Sequence, residues 1–117
     1  MKKRNTLENM RPAYRYWILD CLARQTDGRA DVQEVYRHVA RNLGSHFIQR
    51  EKTDVPSGGE PTWRIDVRQE RRDMIRYSLL AKASERGIWE ITDAGREWLM
   101  RNPNAGTPGF NMDEFGL

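Results

Sequence analysis

Tyr14, Trp17, Ile18, Cys21 and Leu22 recur at the i, i+3, i+4, i+7, i+8 spacing that lines one face of an α-helix. The pattern predicts a first helix over residues 12–25. Pro12 suits its first turn, where a missing N–H costs nothing, and Gly28 follows soon after its end. Val32, Val35, Tyr36, Val39, Ala40 and Leu43 repeat the spacing and predict a second helix over 32–43. Asp31 stands ready as its N-cap, Glu34 three residues later completes a capping-box-like pair, and Gly44 marks the stop.

Residues 44–62 show no clean period and hold Pro56, Ser57, Gly58, Gly59 and Pro61. They read as a long loop, uncommon in a compact domain unless it is mobile or functional, with Phe47 and Ile48 packing one end. Helical spacing returns from about Trp63 to Tyr77. Leu79-Leu80-Ala81-Lys82-Ala83 and Ile88-Trp89-Glu90-Ile91 then bracket the four residues Ser84-Glu85-Arg86-Gly87, the signature of a β-hairpin. Thr92 and Asp93 cap a fourth helix carrying Trp98 and Leu99. From Asn102 onward Pro103, Gly106, Pro108 and Gly109 break regular structure.

Two helices joined by a short Gly28-bearing connection, then a helix and a hairpin, compose an α+β winged helix-turn-helix with a three-helix core, a hairpin wing and a C-terminal helix. The expected division is a basic N-terminal tail over 1–11, the winged-helix domain over 12–101, and a Pro/Gly-rich tail or linker over 102–117. The chain has no internal repeats.

The 117 residues carry 20 Lys+Arg against 17 Asp+Glu, a formal charge of +3 that argues for little by itself. No stretch approaches the roughly 20 apolar residues of a membrane span, and Lys2-Lys3-Arg4 leads into Asn5 and Thr6, not into a secretory signal. The single Cys21 excludes an internal disulfide framework and fits a reducing cytoplasm. Position says more than the total. Residues 1–16 hold Lys2, Lys3, Arg4, Arg11 and Arg15 against Glu8, a terminus that either contacts phosphates or keeps the chain soluble.

The third helix sorts its charges. With Trp63 at zero and about 100° per residue, Val67, Met74 and Tyr77 form the core stripe. Arg71, Arg64, Arg68, Arg72 and Arg76 fall on one arc from about 80° to 220°, and Asp73, Asp66 and Glu70 on the other flank from about 280° to 340°. Ile75 interrupts the arginine arc and raises the prospect of an earlier helix end or bend. An arginine face can meet phosphates or grip guanine O6 and N7, and Gln69 at its edge can read adenine. The plain alternative is an exposed basic face that only solubilises.

Enzymatic chemistry finds little footing. His38, His46 and Cys21 do not share a metal-ligand spacing, and His38 reads as an exposed helix residue. Cys21 lies on an apolar face and reads as core. Glu51-Lys52 and Asp54 lack the sheet that a metal-dependent nuclease uses to hold its carboxylates, and Ser57-Gly58-Gly59 lacks the Lys-Ser/Thr of a phosphate-binding loop. No cofactor is implied. Trp17, Trp89 and Trp98 read as core, while Trp63 either caps the core or lines a pocket against a methylated base.

Trp63-Arg64, Val67-Arg68, Arg72-Asp73-Met74-Ile75, Leu79-Leu80 and above all Glu85-Arg86-Gly87-Ile88-Trp89-Glu90-Ile91-Thr92-Asp93-Ala94-Gly95-Arg96 resemble the Mrr N-terminal winged-helix family. Asp31-Val32-Gln33-Glu34-Val35-Tyr36 is similar to it as well, so the resemblance covers about residues 13–101. Tyr77-Ser78 departs from it, standing where many members have a small residue and a glycine.

The resemblance implies a double-stranded DNA-binding module of bacterial restriction systems, in some relatives one that prefers 5-methylcytosine, commonly ahead of a nuclease domain. It implies DNA contact by Trp63, Arg64, Arg68, Gln69, Arg71 and Arg72, with Arg86 at the wing tip; Arg76 joins them from the arginine arc. The chain then reads either as a stand-alone reader or as a piece of a longer protein. The competing readings are a protein-interaction or homodimerisation module and a transcriptional regulator, which would need a dimer on a palindromic site.

Overall fold

Three helices, α1 (Leu7–Ala23), α2 (Val32–Leu43) and α4 (Thr62–Arg76), enclose the core of the computed structural model. The structure describes residues 7–55, 58–82 and 85–109. Strand β1 (Arg29–Asp31) precedes α2; a single 3-10 turn (Gly44–His46) and α3 (Gln49–Lys52) lie between α2 and α4; β2 (Ile88–Glu90) and α5 (Asp93–Arg101) follow. The α+β winged-helix architecture expected from the pattern is what the chain forms.

Each helix contributes most of the face its spacing predicted, but Tyr77, expected on the core stripe of α4, lies just past the helix end and is 66% exposed. Tyr14, Ile18 and Leu22 from α1 meet Val35, Val39 and Leu43 from α2 and Val67 and Met74 from α4, all fully buried. Cys21 is buried among them, and burial pushes its thiol up to about 11, so it stays a protonated core group. Asp31 caps α2 by accepting from the Gln33 N–H at 2.7 Å. Thr92 caps α5 by accepting from the Gly95 N–H at 3.0 Å. Gly95 is there for space: a Cβ on it would lie 2.3 Å from the Leu79 carbonyl oxygen. The Thr-x-x-Gly spacing thus joins a cap to a close helix–strand approach.

Several expectations need correction. Helix α1 starts at Leu7, earlier than position 12, so Pro12 lies inside it. The bond Pro12 cannot make to the Glu8 carbonyl is outweighed by Met10 and Ala13, which anchor the neighbouring turns in the core. Glu34 does not complete a capping box; it is held by Arg37 at 2.7 Å. Gly44 keeps a right-handed conformation and carries the chain on into the 3-10 turn. The 44–62 segment is not a bare loop. Besides α3 it forms a bridge between Asp54 and Pro61, and the Thr62 N–H and hydroxyl both donate to the Thr53 carbonyl.

The wing differs too. Its first arm is one bridge, Leu80 opposite Ile91, with the Ala81 N–H donating to the Glu90 carbonyl at 2.9 Å. The main ladder of β2 is antiparallel to β1, with Ala30 opposite Trp89. Three residues are too few to show a period of two, so β1 leaves no pattern to read.

At the C-terminal end, residues 102–109 fold back over α1. Asn102 and Ala105 are buried, and the Trp17 indole N–H donates to the Gly106 carbonyl at 3.0 Å. Lys2, Lys3 and Arg4 of the basic terminus, and residues 110–117, lie outside the described residues. Among the described residues no helix is long and apolar enough to cross a membrane.

Candidate nucleic-acid interface

Helix α4 carries the sorted charges, and its two flanks meet different surroundings. Asp66 is buried and takes two hydrogen bonds from Arg50 of α3, the shorter 2.8 Å. Glu70 is buried and accepts from the Arg15 Nε at 2.6 Å. Burial raises the Glu70 carboxyl above the ordinary carboxylate range, and Arg15 only partly offsets that. Asp73 lies 3.7 Å from Arg11 and 3.6 Å from Arg76. The acids therefore serve the interior, as internal partners for arginines of α1 and α3. Arg11 and Arg15, counted with the basic terminus, are committed to them.

The opposite flank opens onto a cavity of about 370 Å³ between the start of α2, α4 and the wing. Arg64, Arg68, Arg71 and Arg72 line it together with Tyr36, Trp89 and one carboxylate, Glu60. The Arg64 guanidinium lies 4.8 Å from the Tyr36 ring centre, and that of Arg71 lies 5.2 Å from the Trp89 ring centre. These are cation–π distances, so the aromatic faces are covered by guanidiniums. Among the described residues Arg64, Arg71 and Arg72 form no ion pair, and the Nε–H groups of Arg64 and Arg71 are buried without a hydrogen-bond acceptor. Desolvation lowers the affinity of Arg71 for its proton.

Arg68 is the exception. Its guanidinium donates both arms to Glu60, one of them at 2.9 Å to Oε2, and a further bond at 3.1 Å to the Tyr36 hydroxyl. The fork holds the Glu60 carboxyl below its ordinary range.

The remaining expected site residues lie outside the cavity. Trp63 is 8% exposed and stacks on Phe47 with ring centres 5.4 Å apart. Gln69 is exposed on α4, and Arg76 is exposed with Asp73 beside it. Arg86 is exposed in the turn at the wing tip. That turn is tied to α2, because the Val32 N–H donates to the Gly87 carbonyl at 2.9 Å. The helix runs past Ile75 to Arg76, and Ile75 is partly buried against the core.

Three lining residues were not foreseen as site residues. Tyr36 and Trp89 read as core from their spacing, and each is core on one side and cavity wall on the other. Glu60 sits in a segment with no period at all. His38 was expected to be exposed, but it is half-buried, 2.8 Å from Asp20 and edge-on to Trp17. Among the described residues no three of His, Cys, Asp and Glu gather into a metal-binding group.

The family model described as the Mrr N-terminal domain matches residues 14–101. No curated protein and no solved structure matches the chain.

Proposed function

Since the chain belongs to the Mrr N-terminal domain family, we propose that it is a non-catalytic module that binds double-stranded DNA for a restriction or defence system. The observation that carries this reading is the cavity in which Arg64, Arg68, Arg71 and Arg72 face a single carboxylate. The guanidiniums of Arg64, Arg71 and Arg72, in no ion pair among the described residues, suit phosphate oxygens, which accept bidentate bonds. Arg86 at the wing tip and Arg76 near the end of α4 would extend the contact along the backbone. Gln69 and Arg72, exposed on α4, would meet base edges in a major groove.

A preference for 5-methylcytosine belongs to the same reading. The buried, stacked Trp63 leaves any sensing of a methyl group to the exposed side chains of α4. The natural associate is a nuclease domain or subunit, and a cytoplasmic setting suits a chain whose lone Cys21 is a buried thiol. The rival reading, a protein-interaction, homodimer or regulator module, would be favoured by acids neutralising the arginine face. Asp66 turns inward to Arg50, and Asp73 lies 3.6 Å from Arg76 but pairs with none of Arg64, Arg71 and Arg72.

One duplex in unmodified, 5-methylcytosine and 5-hydroxymethylcytosine forms, titrated at low and moderate salt, tests the proposal. Binding to every form at low salt, falling steeply as salt rises, is expected, with the methylated form the tightest. Absence of duplex binding at low salt would overturn it. Equal affinity for the three forms would remove the modified base alone.

A further inference from the structure

Among the described residues Glu60 is the one acid lining the cavity, and it takes the part of the cavity that an arginine fork would offer to a phosphate. Its position is built. The Val55 N–H donates to the Glu60 carbonyl at 2.9 Å, Asp54 bridges Pro61, and Thr62 ties the segment back to Thr53, all just before α4 begins. The carboxylate then meets both arms of Arg68, two-pronged acceptor against two-pronged donor, in the geometry a phosphate uses.

Resting on the duplex-binding reading, we propose that the cavity is a seat for one phosphate group of the nucleic-acid backbone. In the unbound chain Glu60 fills part of that seat with its own carboxylate. Arg64, Arg71 and Arg72 supply the unspent cations, and Arg68 joins them once the incoming phosphate displaces Glu60. A base is the poorer occupant, because the faces of Tyr36 and Trp89 are already covered by Arg64 and Arg71. Glu60 and Arg68 are both partly exposed, with side chains 29% and 40% accessible, so an anion from solution can reach the fork and compete for it. Glu60 thereby sets how tightly the module grips DNA without touching it.

The test uses the full chain and three variants: Glu60→Gln, Glu60→Gln with Arg68→Ala, and Glu97→Gln. The last makes the same charge change on α5, where Glu97 pairs with Arg101. Affinity for an unmodified duplex is followed by fluorescence anisotropy across a salt series. Thermal stability is measured in inorganic phosphate and in chloride at matched ionic strength.

Glu60→Gln is expected to bind the duplex about five- to tenfold tighter with an unchanged salt slope, because the same phosphate is seated in both proteins and only the displacement of Glu60 is saved. Phosphate should stabilise it more than it stabilises the native chain. The gain should vanish when Arg68 is also removed, and Glu97→Gln should change affinity less than about twofold. Weaker or unchanged duplex affinity in Glu60→Gln would overturn the proposal, as would an equal gain in Glu97→Gln. If neither the native chain nor Glu60→Gln binds duplex, the duplex-binding reading fails and the phosphate measurement decides the seat: larger stabilisation of Glu60→Gln supports it, and equal stabilisation overturns it. Should Glu60→Gln fold poorly by circular dichroism, Glu60→Ala takes its place with the same outcomes.

Discussion

The two flanks of α4 are built from similar numbers of charges and do opposite work. On one flank Asp66 and Glu70 are buried and answered by Arg50 and Arg15, and Asp73 is flanked by Arg11 and Arg76. On the other, Arg64 and Arg71 lie against the rings of Tyr36 and Trp89 and Arg72 is exposed, none of the three in an ion pair among the described residues. The first flank spends its charges on holding helices together. The second keeps them available at the expense of folding free energy, since a desolvated cation without a counter-charge destabilises the native state. Charge on a helix therefore speaks of function only where the fold has left it unanswered.

Substitutions should split along that line. The largest effect is expected from Asp66→Ala, which removes both hydrogen bonds of Arg50 to that buried carboxylate and leaves Arg50 only its contact with Glu51. Stability should fall by about 2–3 kcal/mol, or roughly 10 °C in Tm by scanning calorimetry, while the folded fraction keeps its affinity for duplex. A large affinity loss in folded Asp66→Ala protein would blur the division between flanks. Next comes Arg71→Met, which should act in the reverse sense. Duplex affinity is expected to drop about tenfold, near 1.4 kcal/mol, while stability holds or rises by up to about 1 kcal/mol, because an unpaired and desolvated charge has gone. Loss of stability in urea unfolding would mean that the stack on Trp89 outweighs the desolvation.

The smallest effect concerns pH. Glu70 has a raised pKa in the fold, so the folded chain holds its proton more tightly than the unfolded chain. Its contribution to stability is therefore full below the ordinary glutamate value near 4.5 and declines as pH rises through the folded value. Relative to Glu70→Gln, the native chain should lose stability between pH 4 and pH 7, by less than about 1 kcal/mol. A gain over the same interval would show that Arg15 more than compensates the burial.

Much of this was legible in the chain because periodicity reports which face of a helix is buried. The Tyr14–Leu22 and Val32–Leu43 spacings, the Asp31 and Thr92 caps and the angular sorting on α4 all follow from residue type and position. Other features depend on partners distant in sequence. Nothing in residues 44–62 announces that Glu60 will reach Arg68, because a turn segment carries no period. The bulk of Trp63 invited a binding role, yet Phe47 covers it; only the tertiary structure shows which side of an aromatic is occupied.

The Tyr77-Ser78 departure has a local meaning. Ser78 adopts φ +63°, the left-handed position that ends α4, and the Leu79 N–H returns to the Met74 carbonyl at 2.7 Å. A glycine would suit that position better, so serine changes the comfort of the helix end and not its place.

The claim that the unanswered arginines of α4 grip the DNA backbone is met most directly by the salt dependence of duplex affinity in the native chain and in Arg64→Ala with Arg72→Ala. The logarithm of affinity should fall linearly with the logarithm of salt, and the double variant should bind more weakly with a slope shallower by about one phosphate contact. Superimposable salt plots for the two proteins would contradict it.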